Sequence, residues 1–418
     1  MSVYYIDFLN GNDVNSGLCE NSPKKDHTKL SLKAGDSLLF RRGGFFRGML
    51  KLTSGSDEAP ILYGAYGEGK APVFCGSCDV SDEDCWEPTD QKNIWRCVKK
   101  INGDVGNFVI DGKCSATLRW NKNELSENQD FYDSRFADGE QRRGRYSEQE
   151  ILFYCDTAPF KKYKSIECVS YSTRVLGKLT SNIVIEDICF MNSGVHALAG
   201  NGKNVTVRRC DFINIGGCAW NSDLKIRFGN AVEFWNYGEN VLIEECSFEN
   251  VYDSCVTHQG SGEELLPAKN FVCVNNRFDT YGMAALELRD TVGKGLVFKN
   301  NVCDNAGCGF AMLGEELPRR SEIWPQPMGH HIFLWRMTEA DDDARVEITD
   351  NIFKSAPVGA AIYSIISKSA EEHFVIDRNK YMKSEGLLVR FSSMNFDSLE
   401  EYSRRTGNDI SSEYISFD

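Results

Sequence analysis

The chain has 418 residues, 41% of them hydrophobic and 26% charged, and a formal net charge of −14. That composition is ordinary for a water-soluble globular protein, and no apolar run approaches the ~18 residues of a membrane span. The acidic balance opposes encounter with nucleic acid, an anionic membrane surface or a strongly polyanionic polysaccharide.

The first residues, Met1-Ser2-Val3-Tyr4-Tyr5-Ile6-Asp7, lack the basic stretch and apolar run of a secretory signal, which predicts a cytoplasmic protein. The sixteen cysteines are spread over the whole length, several at strand positions, and are read as reduced core thiols. Residues 1–70 read as an N-terminal cap over 4–50 followed by strands at 37–40 and 61–63. Residues 71–181 read as early coils with a long loop that carries the basic run Arg142-Arg143-Gly144-Arg145. Cys75-Gly-Ser-Cys78 is a lone pair with no second pair to complete a zinc site, and Asp341-Asp342-Asp343 reads as a solvated acidic turn. No metal or cofactor is expected.

From residue 182 to 391 the sequence repeats. Segments starting at Asn182, Asn204, Asn240, Asn270, Gly295, Arg345 and His373 each give an alternating strand, a polar corner and a bulky residue. Eight positions after each start stand Phe190, Phe212, Phe248, Phe278, Cys303, Phe353 and Tyr381, as expected if equivalent side chains stack along an axis. Six positions after each start stand Ile188, Cys210, Cys246, Asn276, Asn301, Asn351 and Asn379. Four successive asparagines suit a corner with left-handed backbone and amide hydrogen bonds passed from coil to coil. Uneven spacing of the starts implies a coil of roughly 22 to 25 residues with insertions, which in solenoids tend to build a binding face. Residues 392–418 form the C-terminal cap: Ser398-Leu-Glu-Glu401 has capping-box spacing, and Gly407 can end a short helix. The fold class predicted is all-β: one right-handed parallel β-helix spanning residues 1–418.

These coils, together with Gly11-Asn-Asp-Val-Asn-Ser-Gly17, Gly35-Asp-Ser-Leu-Leu-Phe-Arg-Arg-Gly43 and Pro60-Ile-Leu-Tyr-Gly-Ala-Tyr-Gly-Glu-Gly69, resemble bacterial right-handed parallel β-helix proteins of the pectate-lyase-like superfamily. The resemblance covers most of the chain and implies the fold and a carbohydrate ligand. It does not choose among hydrolases, lyases, epimerases and non-catalytic members, and the full Asp-rich motif set of polygalacturonases is missing.

Alternation points Leu286 and Leu288 inward and Glu287 and Arg289 outward, and likewise Val232 and Phe234 inward and Glu233 and Trp235 outward. The segment between those strands brings Asp253 and His258 to the same neighbourhood. At about 4.8 Å per rung, Glu233 and Glu287 should lie about 9.6 Å apart at the backbone, a separation that suits an inverting glycosidase, whereas Asp253 offers a closer, retaining pair. The catalytic candidates are therefore Glu233, Asp253 and Glu287, with His258, Arg289 and Trp235 binding substrate. Insertions at 217–230 and 313–343 bring Trp220, Trp324, His330 and Trp335, whose rings suit the apolar faces of sugars. A glycoside hydrolase acting on a neutral or weakly charged glycan is the leading expectation. A polysaccharide lyase, with Arg289, His258, His330 or the Arg142–Arg145 loop serving a uronate, and a non-catalytic glycan-binding or structural β-helix are the alternatives.

Overall fold

The computed structural model describes residues 1–136, 149–171, 174–221, 225–312, 328–340, 343–357, 359–382 and 386–416. The chain winds as a right-handed parallel β-helix. Each regular coil supplies strands to a 17-stranded sheet and to a facing 10-stranded sheet. Successive coils pair parallel and in register, as in Ile183↔Val205, Val205↔Val241 and Val241↔Phe271. The longest strands, His196–Arg208 and Val232–Glu244, run round one corner and join two sides of the coil.

The corners recur because left-handed residues recur. Asn182, Asn204, Asn240 and Asn270 have positive φ at the start of their coils, and Asp187, Arg209, Glu245 and Asn275 five positions later. The four inner asparagines thus sit one residue after the left-handed position, not in it. That frees their side chains for an internal ladder. Asn276 Nδ2 donates to Asn301 Oδ1, Asn301 Nδ2 to Asn351 Oδ1, Asn351 Nδ2 to Asn379 Oδ1, and Asn379 Nδ2 to Asp409 Oδ1, over 3.0 to 3.2 Å.

The predicted bulky ladder is the core. Phe190, Phe212, Phe248 and Phe278 stack with centroids 5.6, 4.8 and 4.7 Å apart, and Phe353 meets Tyr381 at 5.4 Å. Phe298 extends the stack from Phe278, and His331 lies flat on Phe353, so neighbouring strands fill the space that Cys303 leaves. All sixteen cysteines are free thiols, most of them buried.

Two segments differ from their expected form. Residues 4–50 are not a separate cap: Val3–Ile6 already pairs parallel with Ser37–Arg41 as part of the long sheet. Nor does 71–181 consist of early coils with a loop. Val73–Cys75 and Val175–Leu179 belong to coils, but the strands between them pair mainly antiparallel, in two small sheets around a core of their own that includes Trp86, Phe108, Phe131 and Phe153. This inserted unit touches the solenoid at the hairpin Cys218–Asn221/Ile226–Phe228, where Ala219 N–H donates to Asp104 Oδ2 and Arg227 Nη2 donates to the Gly106 carbonyl. At the C-terminus Leu399–Thr406 is the expected helix, capped by the Ser398 hydroxyl and stopped by left-handed Gly407, with Leu399 and Tyr402 buried. Beyond it Glu413–Ile415 adds a last parallel strand.

Candidate active site

One column of the long sheet runs Ala199, Glu233, Thr257, Glu287, Phe333, Tyr363, Arg390, each in register with the next. Val232, Val256 and Leu286, one residue earlier, and Phe234, His258 and Leu288, one residue later, form the flanking columns. Because the flanking valines, leucines and Phe234 belong to the main core, Glu233, Thr257 and Glu287 face away from it. Trp235 pairs with Gln259, and Arg289 with Trp335, on the same outer face.

The two glutamates are nevertheless shielded, at 7% and 1% exposure. Glu287 accepts a 2.6 Å hydrogen bond from Ser254 Oγ and is ion-paired with Arg289 Nε. Burial pushes its carboxyl above the usual range; Arg289 opposes that rise and the nearby charge of Asp253 adds to it. Asp253, itself buried, sits in the turn that precedes Ser254–Gln259, its N–H on the Gly229 carbonyl and its own carbonyl accepting from Met283 N–H. Glu233 accepts from Asn230 Nδ2 at 2.6 Å and Gln259 Nε2 at 2.9 Å, and His196 Nδ1 lies 3.6 Å away. Asn230 ties the two halves together: its N–H donates to His196 Nδ1 and its Oδ1 accepts from Ser254 N–H.

The structure therefore brings Glu233, Glu287, Arg289 and Trp235 onto one face, with Glu233 and Glu287 two rungs apart, and sets Asp253 near enough to Glu287 for its charge to act there. His258 does not join them. It lies in the column of Phe234 and Leu288, is 1% exposed and meets Phe271 edge-on, and burial lowers it to about 4. His330 is also buried, flat against Tyr363 at 4.6 Å and Phe333 at 5.8 Å, with Nδ1 accepting from Ala360 N–H, and burial lowers it to about 3. Its rings belong to a second apolar cluster, outside the main core, with Met283, Met328 and Trp335. Trp335 stacks on Phe333, and Trp220, on the hairpin, and Trp235 are 43% exposed each. Trp324, Arg142, Arg143, Arg145, Asp341 and Asp342 lie outside the described residues. Asp343 is ion-paired with Lys294.

Sequence reasoning missed His196, Asn230, Ser254, Thr257 and Gln259. Alternation from Glu233 and Glu287 could have found Thr257 and Gln259, which share their parity within a strand. Asn230 and Ser254 lie where the chain enters its strands, and no periodic signal marks them.

No family model matches the chain. A lacto-N-biosidase of Bifidobacterium longum subsp. longum is 33% identical over 128 residues, which is 28% of this chain and 7% of that protein. The chain thus spans under a tenth of the length of the curated relative it matches. Among solved structures, a lacto-N-biosidase of glycoside hydrolase family 136 from Eubacterium ramulus superposes with a TM-score of 0.53 at 15% identity, covering 100% of this chain and 67% of that one. The pectate lyase Pel9A gives a TM-score of 0.46 at 12% identity, over 93% of this chain and 72% of that one. The first likeness is one of fold, the right-handed parallel β-helix.

Proposed function

We propose that the chain is a carbohydrate-active enzyme that hydrolyses glycosidic bonds of an oligo- or polysaccharide, with Glu287 as general acid and base and Asp253 as the facing carboxylate. The observation that carries this reading is the pairing itself: a buried glutamate, held toward its protonated form by burial and by an adjacent aspartate, on the outer face of the sheet. A carboxyl held toward its protonated form beside a second carboxyl group is what glycoside cleavage needs. Glu287 gives its proton to the departing glycosidic oxygen while an Asp253 oxygen bonds the anomeric carbon. Ser254 and Arg289 then stabilise the Glu287 carboxylate until it takes a proton from the attacking water. Glu233, oriented by Asn230 and Gln259, presents a second carboxylate to the sugar, and the exposed rings of Trp220 and Trp235 offer stacking faces. The local likeness to a lacto-N-biosidase supports the hydrolase reading.

The lyase alternative needs a free cation for a uronate and a base beside it. Here Arg289 is engaged by Glu287 and His258 faces the core, so neither serves. The test is a glycan panel assayed for new reducing ends and, in parallel, for the ultraviolet absorbance of unsaturated uronates. Glu287→Gln and Asp253→Asn should each lower turnover by at least ~100-fold with folding intact. Unsaturated products, or full activity in both variants, would overturn the assignment.

A further inference from the structure

Thr257 occupies the rung between the two glutamates, paired with Glu233 on one side and with Glu287 on the other. Its strand neighbours Val256 and His258 lie in the core-facing columns, so the Thr257 side chain shares the outer face with the carboxyls. The residue is 0% exposed, yet its Oγ1 has no hydrogen-bond partner. An unsatisfied buried hydroxyl is costly, and valine would fill the same space without that cost. Three residues earlier Ser254 shows the alternative, its hydroxyl satisfied by Glu287. With rungs about 4.8 Å apart, a group on the Thr257 hydroxyl lies within one water's reach of the carboxyls on both neighbouring rungs.

We propose that Thr257 holds the hydrolytic water of the second half-reaction. This rests on the Asp253 and Glu287 assignment above and adds to it a residue for the step that releases the sugar. The Thr257 Oγ fixes the water beside Glu287. The water oxygen bonds the anomeric carbon, the bond from that carbon to Asp253 breaks with its electron pair returning to the carboxylate, and the water proton passes to Glu287, which is thereby restored for the next cycle.

The test compares Thr257→Val, which keeps the shape and removes the hydroxyl, with Thr257→Ser, which keeps the hydroxyl. An aryl glycoside cleaved by the wild type is turned over with and without methanol, and aryl alcohol, free sugar and methyl glycoside are measured. Thr257→Val should slow release of free sugar by at least ~10-fold, as expected for loss of a positioned catalytic contact. It should leave the first-turnover burst of aryl alcohol near the wild-type level, and raise the ratio of methyl glycoside to free sugar. Thr257→Ser should restore both rate and ratio. Wild-type rate and partition in Thr257→Val, or an equal fall in burst and steady state with an unchanged ratio, would overturn the role of Thr257 alone. A wild type that cleaves no glycoside in the panel would overturn the hydrolase reading and this one together.

Discussion

Glu287 is held between opposing influences, and that makes its neighbours testable through pH. Burial and Asp253 raise its proton affinity, while Arg289 lowers it. Replacing Arg289 with Met removes the charge that favours the carboxylate, so the basic limb of the kcat/KM profile should move to higher pH. A limb that stays in place or moves down would show that Glu287 is not the acid. His258 offers a second test, of stability. Its folded value is about 4 against an ordinary 6.5, so the unfolded chain takes the proton first as pH falls. The contribution is therefore full above the unfolded value and is lost progressively as pH drops toward the folded one. His258→Leu, a residue that matches Leu288 in the same column, should gain on the wild type by roughly 3 kcal/mol between neutral pH and pH ~4, read by urea denaturation. Parallel pH dependence of the two proteins would refute it. The parity of the strand, more than the polarity of the side chain, decides where this histidine goes: Val256 points inward, and so does the residue two positions on.

At the scale of strands and corners, the fold was legible because each coil repeats the same demands at the same positions. Phe248 touches Phe212 on one side and Phe278 on the other, so Phe248→Ala should cost about 3 to 5 kcal/mol, measured by chemical denaturation. Asn301 receives two donors from Asn276 and gives its own protons to Asn351 and the Cys273 carbonyl. Asn301→Ala leaves several buried groups unpaired and should cost at least about 2 kcal/mol. Asn240→Ala, in a more exposed ladder of the same type, should cost less than half as much, and equal losses would deny the burial argument. The inserted unit was not legible as antiparallel, since its strands share no period with the coils and pair across turns whose lengths nothing in the repeat constrains. The site was half legible for the same reason. Alternation reaches Glu233, Trp235, Glu287 and Arg289 inside strands but says nothing of Asn230, just before its strand, or of Ser254, the first residue of its own.

Taken whole, the solenoid is a stack whose coils depend on their neighbours and whose last coil needs a cover. The Val389–Phe391 strand is closed by an antiparallel return, Met394–Phe396, and Tyr402 packs against both Phe391 and Phe396. A chain ending at residue 393 should therefore expose a strand edge and aromatic core, and should elute as aggregates in size-exclusion chromatography where the full chain does not. A monodisperse truncated protein would count against the cap. The cap also supplies something that covering the core does not require. Each amide of the inner asparagine ladder has its sense set by the backbone: the Oδ1 of Asn301, Asn351 and Asn379 accepts from the N–H of the preceding asparagine, and the Nδ2 of Asn276, Asn301, Asn351 and Asn379 donates to the carbonyls of Ile243, Cys273, Phe298 and Ile348. Asp409 ends the ladder with a carboxylate, which in its ionised form only accepts, and it takes the Tyr381 hydroxyl as well. The row of amides through four coils thus runs one way, each coil's backbone setting the sense, and a single side chain in the terminal segment receives the donor left over at its end.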